Sequence, residues 1–374
     1  MSLRFVHTAD WQLGKPFGAF PDDRAALLRE ARLDVIERIG AVARQHGGIV
    51  LVAGDVFDAE TAAPALVAKA LARMQRHDKV RWHLISGNHD PIRVAGPWRL
   101  MAQFGLPDNV VLHLGPDVAE IAPGVSLLPA PLASRSTSLD PTSWMDGAET
   151  PAGHFRIGIA HGSVRGFSSE GEPTIPIAID RARRAGLDYL ALGDWHGAVG
   201  IDKRTWYCGT PETDGFRANQ SGNVLKVSIA SPRAAPDLEI VGTSAYKWLG
   251  RNVDLGVGDA LASLEDEVEA AGGDAARMVM RLAVSGRADT AGRRAVTARL
   301  ERLGARVFHL ETDLSLLRHA SGAAGQATEL PAGAVRTAAE RIAAVATGDT
   351  PDAAIAARAL ARLAEFVEED AARS

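Results

Sequence analysis

Five short apolar segments, each followed at once by side chains that can bind a metal, constrain the fold of this sequence most. Apolar runs of this length, bounded by glycine, are typical of buried β-strands. Helical patterns at 23–45 and 62–76 separate the first three segments. Strands that alternate with such helices predict a layered α/β domain, in which ligands collect beyond the carboxyl ends of the strands. The segments are LRFVHTADWQ (3–12), GIVLVAGDVFD (48–58), RWHLISGNHD (81–90), FRIGIAHGS (155–163) and YLALGDWHG (189–197).

The polar side chains that follow these segments form a candidate metal centre. Carboxylate, amide and imidazole groups in this mixture suit Mn, Fe, Zn or Mg. One ion rarely needs so many ligands, whereas two ions about 3.5–4 Å apart can share a carboxylate and clamp a phosphate. His89, with Asp90 to orient it, can protonate a leaving oxygen beside the metals. The candidate ligands are Asp10, Asp55, Asn88, His161, Asp194 and His196, with Gln12 as a seventh.

Each of these motifs is weak evidence when it is taken alone. An Asp-x-His pair such as 194–196 occurs by chance in many loops, and a lone histidine after a strand, like His161, is usually packed in the core. The ordered set of five clusters favours the ligand interpretation instead. Gly54, Gly87 and Gly193 each precede a candidate ligand, where the lack of a side chain lets the chain turn tightly beneath the metals.

The second half of the chain predicts further structural units. Segments 223–230 and 237–242 are typical of antiparallel strands, whereas 258–313 has the order helix, strand, helix, strand. The Gly/Ala-rich stretch 319–334 predicts a flexible linker, and two short helices follow it. We therefore expect a main domain at 1–245, a small αβ domain at 250–318 and C-terminal helices at 330–374.

Composition limits the class of protein. With 374 residues the chain is long enough for two or three domains, and its formal net charge of -5 means that any nucleic-acid contact needs a local basic patch. The single cysteine, Cys208, excludes an internal disulfide and fits a reducing compartment. The first residues lack the apolar core of a signal peptide, and no run reaches the length of a membrane span. These features predict a cytoplasmic protein that does not enter a membrane.

In their order along the chain, the motifs resemble those of the calcineurin-like metallophosphoesterases. Within that family, HTADWQLGK, GDVFD, ISGNHD, AHGS and YCGTPETDGF (207–216) are similar to motifs of the SbcD-type DNA-repair exonucleases. The resemblance extends over roughly residues 3–230, and the small αβ unit is similar to the capping domain of that family. It implies an αββα metallophosphoesterase sandwich with a smaller αβ capping domain and C-terminal helices that dock a partner.

The resemblance also assigns the candidate ligands to two metal positions. The first position takes Asp10, residue 12, Asp55 and His196, and the second takes Asp55, Asn88, His161 and residue 194. His89 becomes the general acid, assisted by Asp90. The family has histidine at 12 and 194, whereas this chain has Gln12 and Asp194. A neutral amide predicts weaker binding at the first position, and the extra carboxylate favours Mn or Mg over Zn.

The function that the resemblance implies is a metal-dependent phosphodiesterase, a DNA exonuclease or endonuclease subunit for DNA repair. Two divalent ions would hold a hydroxide that attacks phosphorus. Mn is the expected metal, and Mg, Fe and Zn are the alternatives. The expected partners are DNA, an SbcC-like ATPase docked on the C-terminal helices, and a second copy of the chain in a homodimer. Two alternatives stay open, a two-metal phosphodiesterase for small phosphodiesters or nucleotides and a non-catalytic scaffold with a substituted metal site.

Overall fold

The computed structural model describes residues 2–167, 174–256, 259–320 and 322–373. The chain divides into two units, residues 1–246 and 247–374. Among the described helices, none combines the length and the apolar character needed to cross a membrane.

In the first unit, strands alternate with helices at the start and follow one another more directly towards the end. In chain order the elements are β1 (Leu3–Thr8), α1 (Asp22–Arg44), β2 (Ile49–Ala53), α2 (Pro64–Gln75), β3 (Arg81–Ile85), α3 (Pro97–Phe104), β4 (Val110–Leu112), β5 (Ala119–Ala122), β6 (Val125–Ala130), a 3₁₀ turn (Ser143–Asp146), β7 (Phe155–His161), β8 (Ser163–Val164), β9 (Pro176–Ile177), α4 (Arg181–Arg184), β10 (Tyr189–Gly193), β11 (Val199–Gly200), β12 (Thr205–Tyr207), β13 (Asn223–Ile229) and β14 (Asp237–Gly242). The five apolar segments of the sequence form β1, β2, β3, β7 and β10.

Most of these strands belong to two six-stranded sheets. The first sheet has the order β14-β13-β1-β2-β3-β4, and the second has the order β11-β12-β10-β7-β6-β5. In the first sheet β1 to β4 are parallel, and in the second β6, β7, β10 and β12 are parallel. The carboxyl ends of each parallel set therefore lie at one edge of its sheet. β13 and β14 pair antiparallel, as 223–230 and 237–242 predict.

The two sheets pack face to face over a shared apolar core. Leu51 of β2, Ile159 of β7 and Ala191 of β10 belong to this buried cluster. Helices α1, α2 and α3 cover the outer face of the first sheet, with Ile36 and Met74 in a second cluster. On the outer face of the second sheet, α4 and the 3₁₀ turn contribute to a third cluster. This layered sandwich confirms the predicted fold class.

The second unit begins with a strand that the sequence pattern did not predict. In chain order its elements are β15 (Lys247–Asp254), α5 (Ala260–Ala271), a 3₁₀ turn (Gly272–Arg277), β16 (Met278–Ala288), α6 (Thr290–Gly304), β17 (His309–His319), α7 (Gly322–Glu329), α8 (Ala334–Ala346) and α9 (Ala353–Arg373). β15, β16 and β17 form a parallel three-stranded sheet. Because Leu249 and Val253 are the buried residues of β15, this edge strand lacks a continuous apolar run.

The prediction of a flexible linker at 319–334 is wrong, because α7 lies within it. Alanine is the strongest helix former, and this stretch is rich in alanine as well as glycine. Ala327 and Leu330 pack with Ala339 of α8 and Leu360 of α9 in a small buried core. Residues 322–330 are therefore part of a cluster of three helices.

Two buried histidines of the first unit contact each other on β3 and just after β4. Nδ1 of His83 lies 3.0 Å from Nε2 of His113, and Nε2 of His83 has no hydrogen-bond partner among the described residues. Burial lowers the pKa of His83 to about 3 and that of His113 to about 4. Both rings are therefore neutral in the folded chain at pH values where an unfolded histidine, with a pKa of about 6.5, already binds a proton.

We expect acid to destabilise the first unit as the pH falls from about 6.5 towards about 4, because the unfolded chain then takes up protons that the folded chain excludes. Each ring should lower the free energy of unfolding by roughly 1–2 kcal/mol at about pH 5. Urea unfolding of wild type and of the double variant His83→Leu, His113→Leu, followed by tryptophan fluorescence at neutral and acid pH, measures this effect. The double variant should lose less stability in acid, and an equal loss in the two proteins would contradict the expectation.

Candidate metal centre

Three side chains, contributed by both sheets, meet at the edge where the parallel strands end. Asp10 follows β1, Asp55 follows β2, and His161 is the last residue of β7. One carboxylate oxygen or ring nitrogen from each residue lies within 4.8 Å of the other two, and all three residues are buried. We call this group the Asp10–Asp55–His161 cluster. Its ligand atoms are close enough together for one ion to contact all three.

The loops that carry the candidate ligands adopt a backbone conformation that is rare outside glycine. The φ angle is 53° at Asp10, 44° at Gln12, 51° at Asp55 and 103° at Asp194. Such conformations persist where neighbouring contacts enforce them, and they concentrate at functional sites. Here backbone hydrogen bonds join two loops, because the N–H of Asp10 donates to Gly54 at 3.1 Å and that of Gln12 donates to Asp55 at 2.9 Å.

Two glycines allow the loops to approach the cluster closely. A Cβ atom on Gly87 would lie 2.1 Å from Oδ1 of Asp55, and one on Gly193 would lie 2.1 Å from the carbonyl oxygen of Ala53. Both distances are far shorter than van der Waals contact, so a side chain at either position would displace the backbone or a ligand. The glycines thus have the close-packing role that the sequence predicts for them.

His161 is oriented by a hydrogen bond to the main chain. Its Nδ1–H donates to the carbonyl of Ala53 at 2.9 Å, which directs Nε2 into the cluster. Nε2 lies 3.0 Å from Oδ1 of Asn88, 3.5 Å from Oδ1 of Asp55 and 4.0 Å from Oδ1 of Asp194. Hydrogen bonds of this kind fix the tautomer of metal-binding histidines. The four residues that the resemblance assigns to the second metal position therefore lie together.

Asp194, at a position where the resemblance implies histidine, is held from two sides. Its backbone N–H lies 3.2 Å from both carboxylate oxygens of Asp10, and its Oδ2 accepts a hydrogen bond from the hydroxyl of Ser163. Its Oδ1 faces His161. The substitution therefore leaves an oriented oxygen donor at this place.

The charges of the cluster favour a bound cation. Burial raises the pKa of Asp10 to about 6, against the opposing effects of His161 and His196. Burial alone would lower the pKa of His161, but the carboxylates of Asp55, Asp10 and Asp194 together raise it to about 9. A divalent ion supplies the positive charge that these carboxylates attract and leaves Nε2 of His161 as a ligand. The donor set of carboxylate, amide and imidazole therefore fits an ion such as Mn²⁺ or Mg²⁺.

Gln12 and His196, assigned by the resemblance to the first metal position, contact each other. Nε2 of the Gln12 amide lies 3.2 Å from Nε2 of His196, and Oε1 of Gln12 accepts a hydrogen bond from Nζ of Lys15 at 3.1 Å. The carboxylate of Asp214 lies 2.5 Å from Nζ of Lys15 and 3.8 Å from Nδ1 of His196. Two of the four residues assigned to the first position, Gln12 and His196, thus contact each other, Lys15 and Asp214.

Three charged residues of the centre had no role in the sequence analysis. Lys15 and Asp214 lie inside the motifs HTADWQLGK and YCGTPETDGF. These motifs indicate that both residues lie near the site, but they do not indicate what either residue does there. Arg32 lies on the buried face of α1 with 1% exposure, and an arginine among the apolar residues of that face is the signal that could have revealed it. Its guanidinium donates to the carbonyl of Asp10 at 3.2 Å and faces Asp214 at 3.4 Å.

His89 lies beside the cluster, but Asp90 does not orient it. Oδ1 of Asp90 accepts a hydrogen bond from the N–H of Gly87 at 2.7 Å, and Oδ2 accepts one from a second backbone N–H at 3.0 Å. Nδ1 of His89 pairs instead with the backbone carbonyl of Asp58 at 3.0 Å, and its Nε2 lies 4.0 Å from Oδ2 of Asp55. The expected contact of Asp90 with His89 is therefore wrong. Asp90 holds the loop, and the main chain of Asp58 orients the imidazole.

Comparison with known proteins assigns the chain to a family. Residues 3–216, more than half of the chain, match the calcineurin-like phosphoesterase family. The chain therefore belongs to this family of phosphoester hydrolases, as its motifs predict.

Individual relatives are similar over shorter stretches. The uncharacterized metallophosphoesterase YhaO of Bacillus subtilis is 29% identical over 215 residues, which cover 52% of this chain and 48% of that protein. The SbcD component of the nuclease SbcCD from Rhodobacter capsulatus is 32% identical over 122 residues, or 30% of this chain and 28% of that one. The SbcD component from Bacillus subtilis is 30% identical over 116 residues, or 30% and 27%. The chain thus spans about half or less of the length of these relatives.

The substitution Gly87→Ala should disable the metal centre, because the added methyl would lie 2.1 Å from Oδ1 and 2.4 Å from the backbone nitrogen of Asp55. Strain of this kind costs about 1–3 kcal/mol, so we expect Mn²⁺ binding to weaken by about tenfold or more in calorimetric titration. Gly18→Ala is the matched control, since no atom lies within 4 Å of a Cβ at that position. Wild-type Mn²⁺ affinity in Gly87→Ala would contradict a ligand role for Asp55.

Proposed function

We propose that this chain is a metal-dependent phosphodiesterase that cleaves DNA as the nuclease subunit of a DNA-repair complex. The observation that carries the proposal is the buried Asp10–Asp55–His161 cluster with the imidazole of His89 at its rim. Hydrolysis of a phosphodiester needs a cation at the phosphate and a group that protonates the leaving oxygen. This edge of the sandwich offers a place for the cation and a group for the proton.

Several side chains of the centre would together bind a divalent ion. The carboxylates of Asp10 and Asp55 and Nε2 of His161 would bind it, and Asn88 and Asp194 lie close enough to His161 to complete its surroundings. When bound, the ion would act as a Lewis acid on a phosphate oxygen and provide a nucleophile at neutral pH. Because most of these donors are oxygens, we propose Mn²⁺ as the ion.

His89 would donate the proton to the leaving sugar oxygen. Its Nδ1–H donates to the carbonyl of Asp58, so proton exchange takes place at Nε2, which lies on the side of Asp55. The side chain is 44% exposed, and the ring can therefore contact a substrate and recover its proton from water. This arrangement supports a general acid whose orientation comes from the main chain.

DNA is proposed as the substrate because two of the relatives are named as nucleases. By the same likeness we propose an SbcC-like ATPase as the partner, with α7, α8 and α9 as the docking element. We also propose that the chain forms a homodimer and acts in the cytoplasm. Each of these statements rests on similarity over about a third of the chain.

A substrate panel with Mn²⁺, Mg²⁺ and Zn²⁺ separates the proposal from its alternatives. We expect cleavage of linear DNA to be fastest with Mn²⁺ and to stop when EDTA is added. Cleavage of bis(p-nitrophenyl) phosphate without cleavage of DNA would indicate an enzyme for small phosphodiesters. If neither substrate is cleaved with any of the three ions, the catalytic proposal fails.

His89→Ala should lower the turnover of DNA by roughly 10²–10⁴-fold, the usual contribution of a general acid. The Mn²⁺ content should stay at the wild-type value, because the backbone N–H of His89, not its ring, donates to Asp55 at 2.9 Å. His154→Ala is the matched control, a histidine just before β7 and thus at the opposite end of that strand from His161. Loss of Mn²⁺ together with activity would make His89 a ligand and refute the role.

A further inference from the structure

Four side chains beside the Asp10–Asp55–His161 cluster form a closed ring of polar contacts, which we call the Lys15 ring. Nζ of Lys15 donates to Oε1 of Gln12 at 3.1 Å, and Nε2 of Gln12 lies 3.2 Å from Nε2 of His196. Nδ1 of His196 faces Oδ1 of Asp214 at 3.8 Å, and Oδ2 of Asp214 accepts from Lys15 at 2.5 Å. These four contacts therefore close a ring that starts and finishes at the ammonium group of Lys15.

The chemistry of the groups sets the direction of each contact in the Lys15 ring. An ammonium is a donor only, so the atom of Gln12 beside it must be the carbonyl oxygen, and the amide N–H then donates to Nε2 of His196. In the neutral ring of His196, Nε2 is thus the acceptor and the proton lies on Nδ1, towards Asp214. One lone pair of the Gln12 carbonyl oxygen and the lone pair of His196 Nε2 are therefore directed at N–H groups.

Position 12 is also one of the two places where this chain lacks a histidine that the resemblance implies. Glutamine carries an acceptor and a donor on the same side-chain carbon, which is what joining an ammonium to an imidazole nitrogen requires. Gln12 therefore does more than remove a histidine ligand. It connects Lys15 to His196 at the place of the first metal position.

The same region contains two positively charged side chains of the protein itself. Nη1 of Arg32 lies 3.4 Å from Oδ2 of Asp214, the oxygen that also accepts from Lys15. The Asp214 carboxylate thus faces two cations, and one of them, Arg32, also donates to the carbonyl of Asp10 at 3.2 Å. These two cations would repel a second divalent ion bound beside Gln12 and His196, and they would attract the phosphate of a substrate.

We propose that this chain binds a single divalent ion tightly, at the Asp10–Asp55–His161 cluster, and that the ammonium of Lys15 takes the place of the second ion. The proposal rests on the proposed function, since the task of Lys15 is to bind a phosphate oxygen of the substrate. Among the described residues, Gln12 and Asp214 engage two of the three N–H donors of Lys15, which is 29% exposed. The third N–H would donate to a phosphate oxygen of the substrate. The site therefore differs from the two-ion centre that the sequence predicts.

The number of bound ions tests this proposal without an activity assay. The full chain is loaded with excess Mn²⁺, desalted, and measured by elemental analysis and electron paramagnetic resonance. We expect a single Mn²⁺ per chain with the spectrum of an isolated ion. Two tightly bound Mn²⁺ with a spin-coupled spectrum would overturn the proposal. A single Mn²⁺ without cleavage of any phosphodiester would support the single-ion site and overturn the proposed function, so the two failures are distinguishable.

Opening the Lys15 ring should restore the second metal position. In the double variant Gln12→His, Lys15→Met we expect a second Mn²⁺ to bind, because an imidazole replaces the amide and the ammonium is gone. Lys15→Met alone should keep the single Mn²⁺ but bind inorganic phosphate about tenfold or more weakly, as the loss of a charge-assisted hydrogen bond implies. Lys79→Met, which changes an exposed lysine before β3, is the matched control.

Two results with these variants would contradict the proposal. The first is a folded double variant, checked by its thermal unfolding, that still binds a single Mn²⁺. The second is wild-type phosphate affinity in Lys15→Met. If the double variant does not fold, the ion count of the wild-type chain and the phosphate affinity of Lys15→Met still decide the question.

Discussion

The burial of the Asp10 and Asp55 carboxylates at one edge of the sandwich is the constraint on which the rest of the structure depends. Ionised carboxylates are stable in an apolar interior only when hydrogen bonds and opposite charge surround them. The main chain supplies the hydrogen bonds, since the N–H of Asp194 faces Asp10 and the N–H of His89 donates to Asp55. The raised pKa of His161 shows how strongly these carboxylates attract positive charge.

The architecture around the carboxylates follows from the need to hold them in place. Parallel strands from both sheets end at the cluster, so short loops on a rigid core carry the candidate ligands. Positive φ angles at Asp10 and Asp55 cost of order 1–3 kcal/mol each, and hydrogen bonds between their loops offset the strain. Arg32 reaches the same loops from α1, where its guanidinium donates to the carbonyl of Asp10. The strained backbone and the buried charges therefore lie together at the candidate metal centre.

Much of this arrangement could be predicted from the sequence, because its signals are local. An apolar run, a glycine and a polar residue in succession indicate a strand that ends in a candidate ligand, as at Asp55 and Asp194. The edge strand β15 lacks such a run, and α7 is hidden in a stretch that composition alone marks as a linker. The Lys15 ring joins residues 184 and 199 positions apart along the chain. Contacts of that range leave no local pattern, so the ring became visible only in the folded chain.

Anomalous diffraction from crystals grown with Mn²⁺ tests the central claim most directly, since it locates each bound ion by its own scattering. We expect one strong peak in contact with Asp10, Asp55 and His161, with Asn88 and Asp194 beside it. We also expect Gln12 and His196 to remain joined to each other and to Lys15 in the same crystals. A peak bound by Gln12 or His196, or a cluster of Asp10, Asp55 and His161 without a peak, would contradict the account.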